Sequence, residues 1–215
     1  MNLIEHEASI VVVGSFNPTI FQPEWLSRNN LISTRDYESV DVELIHQDIS
    51  LFGFSWGRLD VKKELYTLRG KDEAFFPMLR DLSIGIFQLL EHTPVKAIGV
   101  NSILSYIIDS EEKWHRIGDA LVPKAIWNKY LNGYLGMTRV SVKSESRSNE
   151  NSDAVNVSIS PTLGNGKKGV IVDINNHFVV DNTNKLVEIL SDRWERLQSE
   201  DRSMAEGILK ECAEE

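Results

Sequence analysis

The chain has 215 residues, of which 41% are hydrophobic and 26% are charged, and its formal net charge is −9. This length and composition allow a sizeable core, in one large domain or in two small adjoining lobes. The acidic balance argues against a general affinity for DNA or RNA, because such binding depends on lysine and arginine neutralising phosphates. The single cysteine, Cys212, excludes an intramolecular disulfide and a metal site built on cysteines.

The N-terminal residues have neither the basic start nor the long apolar core of a secretory signal. The longest apolar runs are far shorter than a membrane span. The sequence therefore predicts a cytoplasmic protein that does not enter a membrane.

The first part of the chain predicts a strand, a short helix, three strands and a long helix. The β-branched run at residues 10–13 is typical of a buried strand and ends at Gly14, and Pro23 suits the first turn of a short helix. Alternating patterns near residues 40–52 and a third stretch at 59–68 predict three strands. Apolar residues then recur at helical steps in a stripe made of Phe75, Leu79, Leu82, Ile86 and Leu90.

The second part repeats this order from residue 95. Asp109 with Glu112 resembles a capping box that opens a helix, and Pro123 breaks or kinks that helix. Three strands are expected at 137–142, 155–159 and 169–174, with a mobile hairpin loop at 144–153 and a turn at 164–166. A last helix contains an apolar stripe, and the tail 199–215 is expected to fray.

The repeated order predicts an α+β fold with two similar β-α-β3-α lobes, residues 1–93 and 94–215, packed intimately enough to form one domain. Short turns join the strands, which favours antiparallel sheet with helices packed on one face. A doubly wound parallel sheet would need helices between most strands, and the pattern lacks them.

Two glycine-containing motifs resemble sequence motifs of known enzymes. Residues 14–18, GSFNP, resemble the opening of nucleotidylyltransferases, but the histidines that stabilise the nucleotide phosphates in those enzymes do not follow. Residues 53–57, GFSWG, fit the G-x-S-x-G nucleophile elbow of α/β-hydrolases. A serine hydrolase built on Ser55 is therefore an alternative function, although the strand-like sequence after Gly57 favours a two-glycine bulge between strands.

No metal or cofactor site is predicted. The five histidines are scattered, and the alternating Asp41, Glu43 and Asp48 are more typical of a solvated strand face than of a metal site. No acid, base and nucleophile converge in the sequence, so we expect the reactive side chains to be dispersed, with no catalytic residue among them.

The densest cluster of aromatic and polar residues lies around the predicted helix break at Pro123. We take Trp114, His115, Asp119, Lys124 and Trp127 as a candidate binding interface, because tryptophan and charged side chains anchor many interfaces. On a helix His115 and Asp119 would face the same way and could pair. The alternative is a kinked amphipathic helix whose tryptophans fill the core.

Several segments resemble a group of uncharacterised bacterial proteins. They are TPVKAIGVN at 93–101, WHRIGD at 114–119, the Pro123-Lys124 pair with Trp127, and GSFNP at 14–18. The resemblance implies continuity of fold and a bacterial or phage-related setting, and it carries no catalytic residue.

The sequence thus predicts a non-enzymatic protein-binding or regulatory module, such as an accessory subunit of a bacterial phage-defence-like system. A protein partner or self-association into a homo-oligomer is expected. Besides the serine hydrolase, a second alternative is a saddle-like protein that binds nucleic acid. Its sheet would be rimmed by five cations: Lys62, Lys63, Arg69, Arg139 and Lys143.

Overall fold

The computed structural model of the chain describes residues 1–145, 153–164 and 167–214. Within these ranges the strands are β1 (Asn2–Gly14), β2 (Asp41–His46), β3 (Ile49–Phe54), β4 (Gly57–Lys62), β5 (Leu65–Gly70), β6 (Val95–Ile107), β7 (Val140–Glu145), β8 (Ala154–Gly164) and β9 (Lys167–Val179). The α-helices are α1 (Pro23–Arg28), α2 (Thr34–Glu38), α3 (Phe76–Leu89), α4 (Glu111–Leu121) and α5 (Thr183–Glu214). Most of the loop predicted at 144–153 and of the turn predicted at 164–166 lies outside the described residues.

All nine described strands form a single antiparallel sheet in the order β2-β3-β4-β5-β1-β6-β9-β8-β7. This confirms the predicted α+β class with an antiparallel sheet. Strands β1 and β6 lie at the centre and pair with each other, with Ser9 opposite Asn101. The predicted boundary between residues 93 and 94 falls in the connection from α3 to β6, and the strands on both sides belong to the same sheet.

The repeated order differs in detail from the prediction. The stretch predicted as one strand at 59–68 is two strands, β4 and β5, separated by Lys63 and Glu64. The first half therefore adds four strands after β1, and the second half adds three strands after β6. Helix α4 is capped by the hydroxyl of Ser110, which accepts from the backbone N–H of Lys113 at 3.2 Å, so the predicted capping role of Asp109 is wrong.

One face of the sheet is covered by the helices. Alternate residues of β1, such as Ala8, Ile10 and Val12, are fully buried, and residues between them are at least partly accessible. This two-residue period is the pattern of a sheet that packs on one side only. In the described part of the chain no helix packs on the opposite face.

Two apolar cores lie beneath the helices, and α5 crosses both. Its first half contributes Leu190 and Trp194 to the core of the N-terminal half, and its second half contributes Ala205 and Leu209 to the core of the C-terminal half. The expectation that the tail frays is wrong because Leu209 is fully buried, which stabilises its docking by about 2 kcal/mol. In the described residues no helix is both long and apolar enough to span a membrane.

A layer of polar side chains separates the two cores where α5 crosses the central strands. Asp201 on α5 is 1% exposed and accepts hydrogen bonds from the Ser102 hydroxyl at 2.6 Å and from the Asn176 amide at 2.9 and 3.0 Å. The Asn176 amide also donates to the carbonyl of Val100 at 3.2 Å. Ser102 and Asn176 lie on β6 and β9, so the layer connects the helix to both strands.

His6 extends this polar layer to the surface. It is buried on β1, and its Nδ1 lies 3.0 Å from Glu73 Oε1, while Glu73 also pairs with Arg202 of α5 at 3.3 Å. The Gln198 side chain lies between His6 and Ser102 and is within hydrogen-bonding reach of both. The Gln198 oxygen accepts from the Ser102 hydroxyl at 3.2 Å, so the Gln198 NH2 group is the one left to face His6 Nε2. That orientation suits a neutral imidazole, which donates from Nδ1 to Glu73 and can only accept at Nε2.

The buried carboxylate makes the fold sensitive to pH. Burial raises the pKa of Asp201 to about 6, and the hydrogen bonds from Asn176 and Ser102 act in the opposite direction. An aspartate in an unfolded chain has a pKa of about 3.9. Because the folded state holds the proton more tightly, this group stabilises the fold fully below about pH 4, and the contribution is lost as the pH rises through about 6.

We expect Asp201→Asn to remove this contribution. Between pH 4 and pH 7 the free energy of unfolding of the wild type, measured against that of the variant, should fall by about 2 kcal/mol, which is most of the effect of a two-unit shift. The measurement is denaturant unfolding at several pH values. Burial also lowers the pKa of His6, but His6 is present in both proteins, so the difference isolates Asp201.

Asp192→Asn is the matched control, because Asp192 is an exposed aspartate on the same helix. Its unfolding profile should run parallel to that of the wild type over the same pH range. A constant gap between the wild type and Asp201→Asn at every pH would contradict the assignment of the raised pKa to Asp201.

Candidate protein-binding surface

The candidate surface is formed by α4 and by the segment that joins it to β7. Helix α4 ends at Leu121, and the predicted break at Pro123 is confirmed. Beyond it lies a short 3₁₀ helix, Trp127–Lys129, in which the Trp127 carbonyl accepts from the N–H groups of both Tyr130 and Leu131 at 2.9 Å. Gly133 then has a φ of 107°, a conformation that glycine adopts without a steric penalty.

The structure brings together the five residues predicted as an interface. Trp114, His115, Asp119 and Lys124 all line a small cavity of about 70 Å³ between α4 and β9. Lys124 also lines a neighbouring groove of about 370 Å³ together with Trp127. The predicted residues therefore form one continuous region of the surface.

The two tryptophans have different environments. Trp114 is half-buried against the core of the C-terminal half, its indole N–H donates to the carbonyl of Gly169 at 2.9 Å, and Lys168 lies over its ring. Trp127 is 50% exposed. The core alternative thus describes the environment of Trp114, and the surface position expected of an interface residue is found at Trp127.

The predicted pairing of His115 with Asp119 is wrong. His115 Nε2 lies 3.4 Å from Glu111, one turn earlier on α4, whereas Asp119 pairs with Lys124 at 2.5 Å. The reason is the chain reversal at Pro123, which brings Lys124 back to the end of the helix. A lysine there satisfies the Asp119 carboxylate, and no periodic pattern within the helix could reveal it.

The feature that the sequence analysis did not single out is a run of exposed apolar side chains at residues 126–134, which we call the exposed segment. Tyr130 is 80% exposed and Tyr134 is fully exposed, and the other large members are Ile126, Trp127 and Leu131. Five such side chains within nine residues exceed the scattered single exposures that soluble proteins tolerate. The sequence signal was available in the run of aromatic and aliphatic residues that continues past Pro123 without helical spacing.

A second exposed apolar group lies on the edge strand β2, at Val42, Leu44 and Ile45. A bulge between Val42 and Leu44 interrupts the ladder with β3, and the extra residue, Glu43, forms an ion pair with Arg58. Bulges and charges of this kind protect sheet edges against pairing with other chains. This edge is therefore a weaker candidate for partner binding than the exposed segment.

The motif at residues 53–57 forms a tight β-hairpin between β3 and β4, so the predicted bulge is wrong: Phe54 pairs with Gly57 without a register shift. Ser55 and Trp56 are the two turn residues, and a strand follows them, whereas a nucleophile elbow requires a helix. A Cβ atom on Gly57 would lie 2.9 Å from the carbonyl oxygen of Arg69, so close packing explains this glycine. The described residues that line the groove beside Ser55 include no histidine.

The motif at residues 14–18 also has a structural explanation. A Cβ atom on Gly14 would lie 2.6 Å from the carbonyl oxygen of Pro94, where β1 meets the start of β6. Phe16 is buried in the core, and the Asn17 side chain accepts from the N–H and the hydroxyl of Thr19 in a local turn. These three residues of the motif therefore shape the chain at the end of β1.

The cations predicted to rim a nucleic-acid site are mostly neutralised by carboxylates. Lys63 pairs with Asp48 at 2.5 Å and Arg139 with Asp173 at 3.5 Å. Arg69 lies 3.9 Å from Asp60, and Lys143 pairs with Glu145. Of the five, Lys62 alone makes no ion pair within the described part of the chain. Exposed pairs of this kind hold their cations weakly, so the net charge of −9 remains the main electrostatic argument against this alternative.

The expectation that reactive side chains are dispersed is wrong at the polar layer, which gathers His6, Glu73, Ser102 and Asp201. Ser102 is fully buried, and its hydroxyl donates to Asp201. The layer thus lies under α5 and does not open into a cleft that a substrate could enter. Across residues 1–145, 153–164 and 167–214, no three His, Cys, Asp or Glu residues are placed to hold a metal ion.

The sequence matches no protein-family model, and no curated protein is similar to it. The resemblance to the group of bacterial proteins remains a prediction from the motifs, and the candidate surface is defined by its geometry alone.

The different environments of the two tryptophans predict different responses to the same substitution. Trp114→Phe removes the hydrogen bond to Gly169 and part of the half-buried ring that packs on the core, so the free energy of unfolding should fall by about 1 kcal/mol or more. Trp127→Phe alters an exposed ring and should change it by less than about 0.5 kcal/mol. Denaturant unfolding of both variants is the measurement. Equal losses of stability would contradict the division between a packed and an exposed tryptophan.

Proposed function

We propose that this protein is a non-enzymatic protein-binding module that presents the exposed segment, residues 126–134, to a partner. The observation that carries the proposal is the density of exposed apolar side chains on a segment whose backbone is held in a defined turn. Solvent exposure of this much apolar surface is unfavourable unless another molecule covers it.

The residue types of the segment support protein binding. Tryptophan and tyrosine combine a large apolar area with a polar group, and they supply a disproportionate share of the binding energy in protein interfaces. Trp127 lines a groove, and Tyr130 and Tyr134 are the most exposed apolar side chains of the segment. All three aromatic rings are therefore accessible to a partner.

The scaffold supports the same role. The segment departs from α4 and returns to β7 without contributing to the buried cores, so it is free to be optimised for binding. The setting, an accessory or regulatory subunit of a bacterial system such as phage defence, rests only on the resemblance of the motifs at 93–101 and 114–119. The partner is a protein, either a different one or a second copy of this chain.

We expect the double variant Trp127→Ser/Tyr130→Ser to lose the partner. The wild type and the variant are used as baits in a native host lysate, and captured proteins are quantified by mass spectrometry. Light scattering of the purified bait tests self-association in parallel. Loss of the two aromatic side chains should reduce capture, or the self-associated fraction, by at least tenfold, because each anchor contributes about 1–2 kcal/mol or more.

Leu89→Ser is the matched control, because Leu89 is also 50% exposed but lies at the end of α3. It should capture the same proteins as the wild type. Circular dichroism must give similar unfolding midpoints for all baits. Equal capture by the wild type and the double variant, or a protein that stays alone and monomeric in every condition, would overturn the proposal.

A further inference from the structure

The exposed segment lies in a part of an acidic protein that is not itself acidic. Residues 109–145 contain six lysines and arginines and five aspartates and glutamates, a net charge of +1, whereas the whole chain carries −9. The other 178 residues therefore carry a net charge of −10. An acidic partner is therefore repelled least at this place.

The groove beside the segment combines apolar walls with cations. Its walls are formed by Val122, Trp127, Leu131, Leu135 and Met137, and Lys124 and Arg139 also line it. Its volume of about 370 Å³ is at the lower end of the range of ligand pockets, about 300–1,000 Å³. A space of this size and lining suits a large apolar side chain with negative charge next to it.

The cations at the groove are available to a partner. Lys124 and Arg139 are held by single, solvent-accessible carboxylates, Asp119 and Asp173, and ion pairs of this kind contribute only about 0–1 kcal/mol. Lys129, which follows within the segment, makes no ion pair in the described part of the chain. Carboxylates of a partner can therefore replace or join the present ones at little cost.

We propose that this groove binds an acidic segment of the partner protein, with a large apolar side chain inserted against Trp127 and Leu131 and carboxylates facing Lys124 and Arg139. The inference rests on the proposed function and names the chemistry of its partner. The concave shape favours an inserted side chain over a lipid surface. The mostly aliphatic wall favours it over stacked bases, which bind to aromatic platforms.

A random dodecapeptide display library tests this inference on the immobilised full-length chain. Selected peptides should combine aspartate or glutamate with leucine, phenylalanine, tryptophan or methionine. A fluorescent synthetic copy should bind the wild type, and Lys124→Glu/Arg139→Glu should weaken its Kd by at least tenfold, since two charge-assisted contacts are removed and repulsion is introduced.

The control is Lys62→Glu/Lys185→Glu, which changes the net charge equally at two exposed lysines that make no ion pair in the described residues. It should bind the peptide as the wild type does. Selection of basic or uncharged peptides, no enrichment at all, or equal binding by both double variants would overturn the inference.

Two further probes distinguish other anions. Vesicles of phosphatidylserine and phosphatidylcholine, and a fluorescein-labelled oligothymidylate, should bind neither the wild type nor the variants at physiological salt. Binding of either probe that is lost in Lys124→Glu/Arg139→Glu would overturn the peptide assignment in favour of a lipid surface or a nucleic acid. If the lysate partner is lost with Trp127→Ser/Tyr130→Ser but retained with the charge reversals, the proposed function stands and this inference fails.

Discussion

The fold depends on the crossing of α5 over the central strands β1, β6 and β9. The sheet is continuous through the pairing of β1 with β6, but the two apolar cores beneath it do not merge. A helix of 32 residues, about 48 Å long, is what packs on both. At the crossing the buried Asp201 is bonded to Ser102 and Asn176, so the polar layer fixes the helix in one register over the strands. A shift of the helix would leave a buried polar group of this network unpaired, so the network favours this one register. The buried carboxylate makes the fold less stable at neutral pH than at low pH.

This arrangement leaves exposed apolar side chains concentrated in one part of the surface, residues 126–134. The helices cover one face of the sheet, α5 is docked along both cores, and the β2 edge is blunted by a bulge and an ion pair. The long connection from α4 to β7 takes no part in either core beyond its ends, and there the chain presents its largest group of exposed apolar side chains. Under the proposed function, stability and binding would be carried by different residues, so the surface could vary while the scaffold is kept.

Local sequence patterns were sufficient to predict most of the fold. The β-branched run that ends at Gly14 marked β1, the apolar stripe from Phe75 to Leu90 marked α3, and the short connections indicated an antiparallel sheet with helices on one face. The polar layer was not predictable in this way, because His6, Ser102 and Asn176 become neighbours only through the registers of three strands. The docking of the C-terminal part of α5 was missed for a related reason. Its buried residues Leu197, Asp201, Ala205 and Leu209 recur every four positions, but the aspartate interrupts the apolar stripe. The sequence pattern was therefore taken as that of a frayed helix. At the candidate surface the cluster of residue types was visible in the sequence, whereas the pairing of Asp119 with Lys124 depended on a chain reversal.

Native-state hydrogen exchange tests most directly whether the two halves are one cooperative body joined at the polar layer. Amides of β5, over the first core, and of β9, over the second, should exchange with the same opening free energy, equal to that of global unfolding, while amides of residues 126–134 exchange many orders of magnitude faster. Two separate opening free energies, one for each half of the sheet, would show that the halves unfold independently and would contradict the role assigned to α5 and to its buried aspartate.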